Sequence, residues 1–188
     1  MNHADLVALL KPGIPLPQAG EGRVRVVWAD LGAGEGAFTL ALADLLGPGA
    51  HITAIDKDAG ALGAIGHGIE TRVADFTRPL DLHDLDGIVM ANSLHFVRNK
   101  APVLESVRDM LRPGGRLIVV EYSTDRGNPW VPHPFSYQSW ARMAEAAGLQ
   151  GTEQLHSIPS RYFGSMYSAL SLSPRGEGQG EGPRRPAT

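Results

Sequence analysis

Short apolar runs alternate with stretches of helical period along most of this chain. Residues 24–31 are β-rich and run into glycines. Phe38, Leu42, Leu45 and Leu46 then recur at i, i+4, i+7 and i+8, one face of a helix that Gly47-Pro48-Gly49 stops. Residues 51–56 predict a second strand, 58–66 a weak glycine-rich helix, 70–75 a third strand and 87–92 a fourth. Val103, Leu104, Val107 and Leu111 form another helical face, with Pro102 near its start. The turn Arg112-Pro113-Gly114-Gly115 leads into a fifth strand over 116–122. A helix over 136–147 with Gly148 as its stop follows, then two β-like runs at 151–158 and 165–172. Strand, helix, strand in strict alternation predicts parallel βαβ units in a doubly wound α/β sheet. The last two runs are too close for another crossover and suit an antiparallel hairpin.

The ends read differently. Residues 1–23 hold a short amphipathic segment (Leu6, Val7, Leu9, Leu10) and a linker rich in proline and glycine. The catalytic domain is expected over 24–172. Residues 173–188 are mostly glycine, proline and polar residues with no large apolar side chain, and are expected to be a disordered tail.

Composition narrows the chemistry. The 188 residues are 43% hydrophobic and 20% charged, with a formal charge of −3. One domain fits this length, and a separate substrate domain does not. The slight acidity argues against a broad basic surface for nucleic acid. Cysteine is absent, which excludes disulfides, thiolate metal sites and thiol catalysis. No histidine pair has ligand spacing with an acid between, so no metal is expected. No run is long enough for a membrane span and the first residues lack a basic leader, so the expected compartment is the cytoplasm.

In an open parallel sheet the ligand binds outside the carboxyl ends of the strands. Those ends read Asp30-Leu31-Gly32-Ala33-Gly34-Glu35-Gly36, then Asp56, Asp75-Phe76, Asn92-Ser93-Leu94-His95 and Tyr122-Ser123. The glycine loop follows a strand and opens a helix, so its backbone can approach a ligand. Asp56, twenty residues after Gly36, is placed to accept both hydroxyls of a ribose. Together they indicate a nucleoside cofactor. Gly32-x-Gly34-x-x-Ala37 also fits a loose dinucleotide fingerprint, so NAD stays open on the loop alone. Asp30 points away from a pyrophosphate, which its charge would repel, and towards a cation or amino group. Asp75 suits the exocyclic amine of adenine.

These segments, with Leu111-Arg112-Pro113-Gly114-Gly115, resemble the class I S-adenosylmethionine-dependent methyltransferases over about residues 24–122. The similarity is greatest to the small-molecule branch that includes quinone-pathway enzymes. It implies a Rossmann-like, mostly parallel seven-stranded sheet with an antiparallel last strand, and S-adenosyl-L-methionine as cofactor. It implies that Asp30, Gly32, Ala33 and Gly34 hold the methionine part, Asp56 with Lys57 the ribose, and Asp75 with Phe76 the adenine. Asn92 to Phe96 would flank the sulfonium and a small-molecule acceptor. The Asn/Asp-Pro-Pro-aromatic signature of DNA amino-methylating enzymes is absent, so DNA is not expected as substrate. Family members often carry a longer lid before the first strand, so an incomplete or partner-supplied lid is expected here.

Displacement at a sulfonium is mostly positioning, and a base is needed only where the acceptor must lose a proton. His95, beyond the fourth strand, is the leading base; a histidine that only packs or fixes its loop is the alternative. Tyr122 and His133 are weaker candidates. Trp130, Trp140, Tyr137, Tyr162 and Phe163 are expected in the core or a lid. Two further readings share the cofactor loop: an NAD-dependent oxidoreductase, and a binding or scaffold protein without an acceptor site.

Overall fold

The computed structural model describes residues 1–15, 26–66 and 68–176. Its strands are β1 (Val27–Leu31), β2 (His51–Asp56), β3 (Glu70–Val73), β4 (Leu85–Ala91), β5 (Leu111–Tyr122), β6 (Gln150–Ser160) and β7 (Gly164–Leu172). They form one sheet in the order β3-β2-β1-β4-β5-β7-β6. The first five are parallel neighbours, and β7 runs antiparallel to both β5 and β6. The hairpin read from the spacing of the late runs is therefore present. Its second strand inserts between β5 and β6, which leaves β6 at the sheet edge.

Helices cover both faces, as alternation of side chains along buried strands requires. On one face Trp28, Val89, Ala91, Ile118 and Val120 pack with α1 (His3–Leu10) and α2 (Ala37–Leu46). On the other, Leu31, Ile88, Met90, Leu117 and Val119 pack with α4 (Ala101–Met110) and α5 (Tyr137–Ala146). The apolar spacing of the N-terminal segment is realised: α1 buries Leu6, Leu9 and Leu10 and starts on an Asn2–Asp5 capping box. Gly87 lies under the Trp28 ring, where a side chain would collide with it.

Several boundaries differ from the sequence reading. The weak helix is a single turn, α3 (Ala59–Leu62), capped by Asp58. Gly60, Gly63 and Gly66 within residues 58–66 leave little to propagate it. No helix joins β3 to β4 among the described residues; residues 74–84 cross as irregular chain. Strict alternation fails there. Leu111 does not end the α4 face but opens β5 opposite Leu85, and the Arg112–Gly115 turn is a bulge inside that strand. Val24 and Arg25 of the first expected strand, most of the linker and residues 177–188 of the expected tail lie outside the described residues.

The body continues past residue 172. The Ser173 amide donates to Gly115 O at 2.9 Å, and its hydroxyl donates to Arg112 O at 2.6 Å. Ser173 thus clamps the bulge at the start of β5. Ser173→Ala removes the side-chain bond and should lower unfolding stability by about 1 kcal/mol, measured by urea denaturation. An unchanged midpoint would show that the bulge holds itself.

Candidate active site

The glycine loop leaves β1 with three positive φ angles, 82° at Gly32, 53° at Gly34 and 82° at Gly36. Side chains rarely adopt them, but the three positions differ in what surrounds them. A Cβ on Gly32 would run into Ser93 and the Phe76 ring, so this glycine lets the β4 loop pack closely. Ser93 donates its hydroxyl to Leu31 O at 2.7 Å and locks that contact. A Cβ on Gly34 would meet nothing within 4 Å, so the backbone there borders open space. The amides of Gly32 and Ala33 are both taken by Ile55 O.

Asp56, at the end of β2, faces the loop. Its Oδ2 accepts the Gly34 amide and its Oδ1 the Asp58 amide, both at 2.9 Å. Each oxygen keeps a second lone pair for a further donor. Asp75 lies past β3, exposed, with Oδ1 accepting from the Thr77 amide and hydroxyl. Those two bonds, with Lys57 and Arg78 nearby, hold its carboxyl below the usual range. Phe76 leans on the glycine loop. Asp56, Lys57, Asp75 and Phe76 therefore gather at one end of the sheet beside the loop.

Asp30 is placed differently from an open ligand carboxylate. It is 1% exposed and accepts the Thr39 hydroxyl at 2.6 Å. Burial pushes its carboxyl up from 3.8 to about 6, the Thr39 bond opposing and the Asp56 charge adding to the rise. Thr39 carried no signal in sequence beyond lying one turn into the following helix. The raised value has a definite sign for stability. Between about pH 4 and 6 the folded state holds a proton that the unfolded state releases. Stability falls as pH rises through that window, by at most roughly 3 kcal/mol from this group. Urea titrations of wild type and Asp30→Asn at pH 4 to 7 should show the wild type losing ground to the variant through the window. A constant difference would contradict the burial argument.

A second cluster forms where β4 and β5 end. His95 is 2% exposed and Glu121 fully buried. Glu121 Oε2 is 2.8 Å from His95 Nδ1, and Oε1 accepts the His95 amide at 3.1 Å. A carboxylate accepting from Nδ1–H leaves the lone pair on Nε2, which has no partner among the described residues. Lys100 is buried nearby and donates to Val97 O and His133 O at 2.8 and 2.9 Å. Burial lowers its ammonium, and Glu121 opposes that shift. Glu121 was missed in the sequence reading. The signal was there: an acid at the end of Leu117-Ile118-Val119-Val120, in step with the buried Leu117 and Val119.

Tyr122 stands 5.9 Å from the His95 ring, centre to centre. Burial, then the charge of Glu121, raises its phenol, which disfavours the phenolate. His133 contributes its backbone: its amide donates to His95 O at 3.0 Å. Trp140 is in the core, as expected, and Tyr137 packs edge-on against Tyr167. Trp130 and Tyr162 are not buried; they are 79% and 78% exposed. Tyr162 belongs to the β6–β7 turn, too short to fold back under the sheet. It borders a cleft of about 630 Å³ with Asn92, Tyr122 and Arg161. Asn92 has a positive φ of 53°, uncommon for a residue with a side chain, and its Oδ1 is buried without a partner. Among the described residues no three His, Asp or Glu side chains gather as a metal set, and no helix is long and apolar enough to cross a membrane.

The sheet order decides between the nucleoside folds. Dinucleotide enzymes continue 3-2-1-4-5-6 in parallel, whereas here β7 runs antiparallel between β5 and β6. A family model described as a methyltransferase domain matches residues 29–117. That match covers just under half of the chain and makes it similar to the methyltransferases. It is 28% identical over 131 residues to the ubiquinone/menaquinone biosynthesis C-methyltransferase UbiE of Vibrio vulnificus, covering 62% of this chain and 49% of that protein. It is 28% identical over 193 residues to the reducing polyketide synthase grgA of a Penicillium species, covering 85% of this chain and 7% of that one. The crystal structure of the CurJ carbon methyltransferase shares the fold, with a TM-score of 0.70 and 18% identity over 82% of this chain and 50% of that one. The chain thus spans about half the length of the UbiE relative and a small part of the synthase. The family uses S-adenosylmethionine. An open Gly34 backbone and an unpartnered Asn92 oxygen, flanked by Asp56 and Asp75, suit such a group.

Proposed function

We propose that this chain is an S-adenosylmethionine-dependent C-methyltransferase acting on a small molecule whose carbon becomes nucleophilic by losing a proton. The observation that carries the reading is the buried pair of His95 Nδ1 and Glu121 Oε2 at 2.8 Å. A thioether or aromatic-nitrogen acceptor has a free lone pair near neutral pH, but an activated carbon, like a phenol, must first lose a proton. Glu121 fixes the ring through Nδ1 and fixes the loop through the His95 amide, and the free Nε2 takes the proton. Tyr122 would donate to the oxygen on which charge then gathers. The relatives' roles, carbon methylation in two of them and polyketide synthesis in the third, favour the same acceptor chemistry.

The cofactor supplies an activated methyl with a neutral leaving group. Asp56 with Lys57 would hold the ribose, Asp75 with Phe76 the adenine, and Gly32 to Gly34 with Asn92 the methionine part. Asp30, behind the loop, would favour the cationic ammonium end. The NAD reading lacks the sheet order it needs, and a scaffold reading would leave the His95–Glu121 pair only the task of fixing its loop.

The test is a panel of three acceptors: ethyl benzoylacetate for carbon, catechol for oxygen and benzylamine for nitrogen. Release of S-adenosylhomocysteine is followed with each. Turnover with the activated methylene compound is expected. Turnover confined to catechol or benzylamine would overturn the proposal.

A further inference from the structure

We propose that the cleft takes an enolisable carbonyl compound that also carries a carboxylate, and that Arg161 binds that carboxylate. This rests on the carbon-methylation reading above and deepens it to a substrate class. Arg161 leads the turn between β6 and β7, and its side chain lines the cleft that Asn92 and Tyr122 border at the ends of β4 and β5. Among the described residues its guanidinium has neither an ion pair nor a hydrogen bond. The acid that shares the cleft, Asp5, accepts the Asn2 amide at Oδ2 in the α1 capping box and makes no ion pair with Arg161. An arginine fork facing a cleft with its charge unspent matches a planar carboxylate in two parallel hydrogen bonds.

The surrounding rings fix what lies beside that carboxylate. Tyr122 meets Phe163 at 5.1 Å and Tyr162 edge-on at 6.5 Å, so the cleft wall next to Arg161 is aromatic. Such a wall takes the flat face of a conjugated carbonyl or its enolate. The Tyr122 phenol, kept protonated by burial and by Glu121, reaches the carbonyl oxygen from the same wall. The walls also hold Asn2, Asp5, Asn92 and Ser160, a polar lining that suits a short acid better than a long hydrocarbon chain.

Calorimetry with the full chain saturated in S-adenosylhomocysteine tests this without needing turnover. The probes are benzoylacetate and its neutral ethyl ester. Wild type should bind the acid about tenfold more tightly than the ester, the scale of a solvent-accessible charge-assisted pair. Arg161→Gln should erase that preference while leaving the ester and S-adenosylhomocysteine affinities unchanged, and Arg161→Lys should retain part of it. Equal binding of acid and ester by wild type would overturn the assignment, as would binding of neither. A loss of S-adenosylhomocysteine affinity in Arg161→Gln would also overturn it, because the arginine would then serve the cofactor's own carboxylate. If the acid binds through Arg161 yet its carbon is never methylated, the carbon-methylation reading fails and the anion site stands.

Discussion

Replacing His95 by glutamine should lower turnover by about 10²–10⁴-fold while the affinity for S-adenosylhomocysteine stays unchanged. That range is what removal of a positioned general base costs. The ring sits in the cluster at the ends of β4 and β5, away from Asp56 and Asp75, so the cofactor end should not register the change. Glutamine still offers a donor to Glu121, so the buried acid is not stranded. The expected stability loss is therefore about 1 kcal/mol. A purely structural histidine gives the opposite pattern. The segment would still be tied by His95 O accepting the His133 amide and by the His95 amide on Glu121. Turnover would then barely move while the melting temperature fell. One variant carried through thermal unfolding, calorimetry and turnover separates the two. Glu121→Gln should behave as a weaker version of the same defect, because it keeps the ring in place but removes the charge that orients it.

Replacing Asp56 by alanine should weaken S-adenosylhomocysteine binding by about 1.5–3 kcal/mol, the range for losing hydrogen bonds to a charged acceptor. The carboxylate does two things. It accepts the Gly34 amide, which sets the loop where its backbone is open, and its remaining lone pairs would accept from the ribose. Asp56→Asn separates them. Its amide oxygen can still accept from Gly34, so the loop is held, and the loss of the charge alone should produce an intermediate defect. Calorimetry on both variants checks this. Full affinity in a folded Asp56→Ala would remove the ribose assignment, and equal losses in both variants would locate the whole effect in the charge.

The parts of the fold that were legible in sequence are those where the hydrophobic period is unambiguous. The α2 face, the β2 run, the α5 helix with its Ser136 cap and the late hairpin follow from spacing and punctuation alone. What misled was local propensity overridden by pairing. Leu111 continues the α4 period yet joins β5, because its backbone finds a partner in Leu85 that no helix offers. The missing helix between β3 and β4 follows from residues 74–84, where Pro79 interrupts the backbone between Phe76 and Leu80 and the apolar residues pack on the core from irregular chain.

The site divides in the same way. Asp56, Asp75 and the glycine loop lie at strand ends, where chain position alone predicts proximity. Glu121 and Thr39 act through tertiary contacts, the first across from His95 and the second behind Asp30. Glu121 could have been found by following the two-residue period of β5 to its end. Asp30 could have been identified in sequence as a cofactor-side acid, but not as one buried against Thr39. Arg161 is beyond any local pattern, because only the antiparallel insertion of β7 brings the hairpin turn to the cleft beside Asn92 and Tyr122.

The central claim, that His95 and Glu121 prepare a carbon nucleophile, is tested most directly by the position of the transferred methyl. Ethyl benzoylacetate presents carbon and enol oxygen from the same anion, so one acceptor offers both outcomes. With the methyl of S-adenosylmethionine labelled with carbon-13, the NMR spectrum of the product tells them apart. The account predicts the label in a methyl bonded to the acceptor's central carbon, formed by wild type and lost with His95→Gln. A label in an O-methyl signal, or a carbon-bound label that forms equally well without His95, would contradict it.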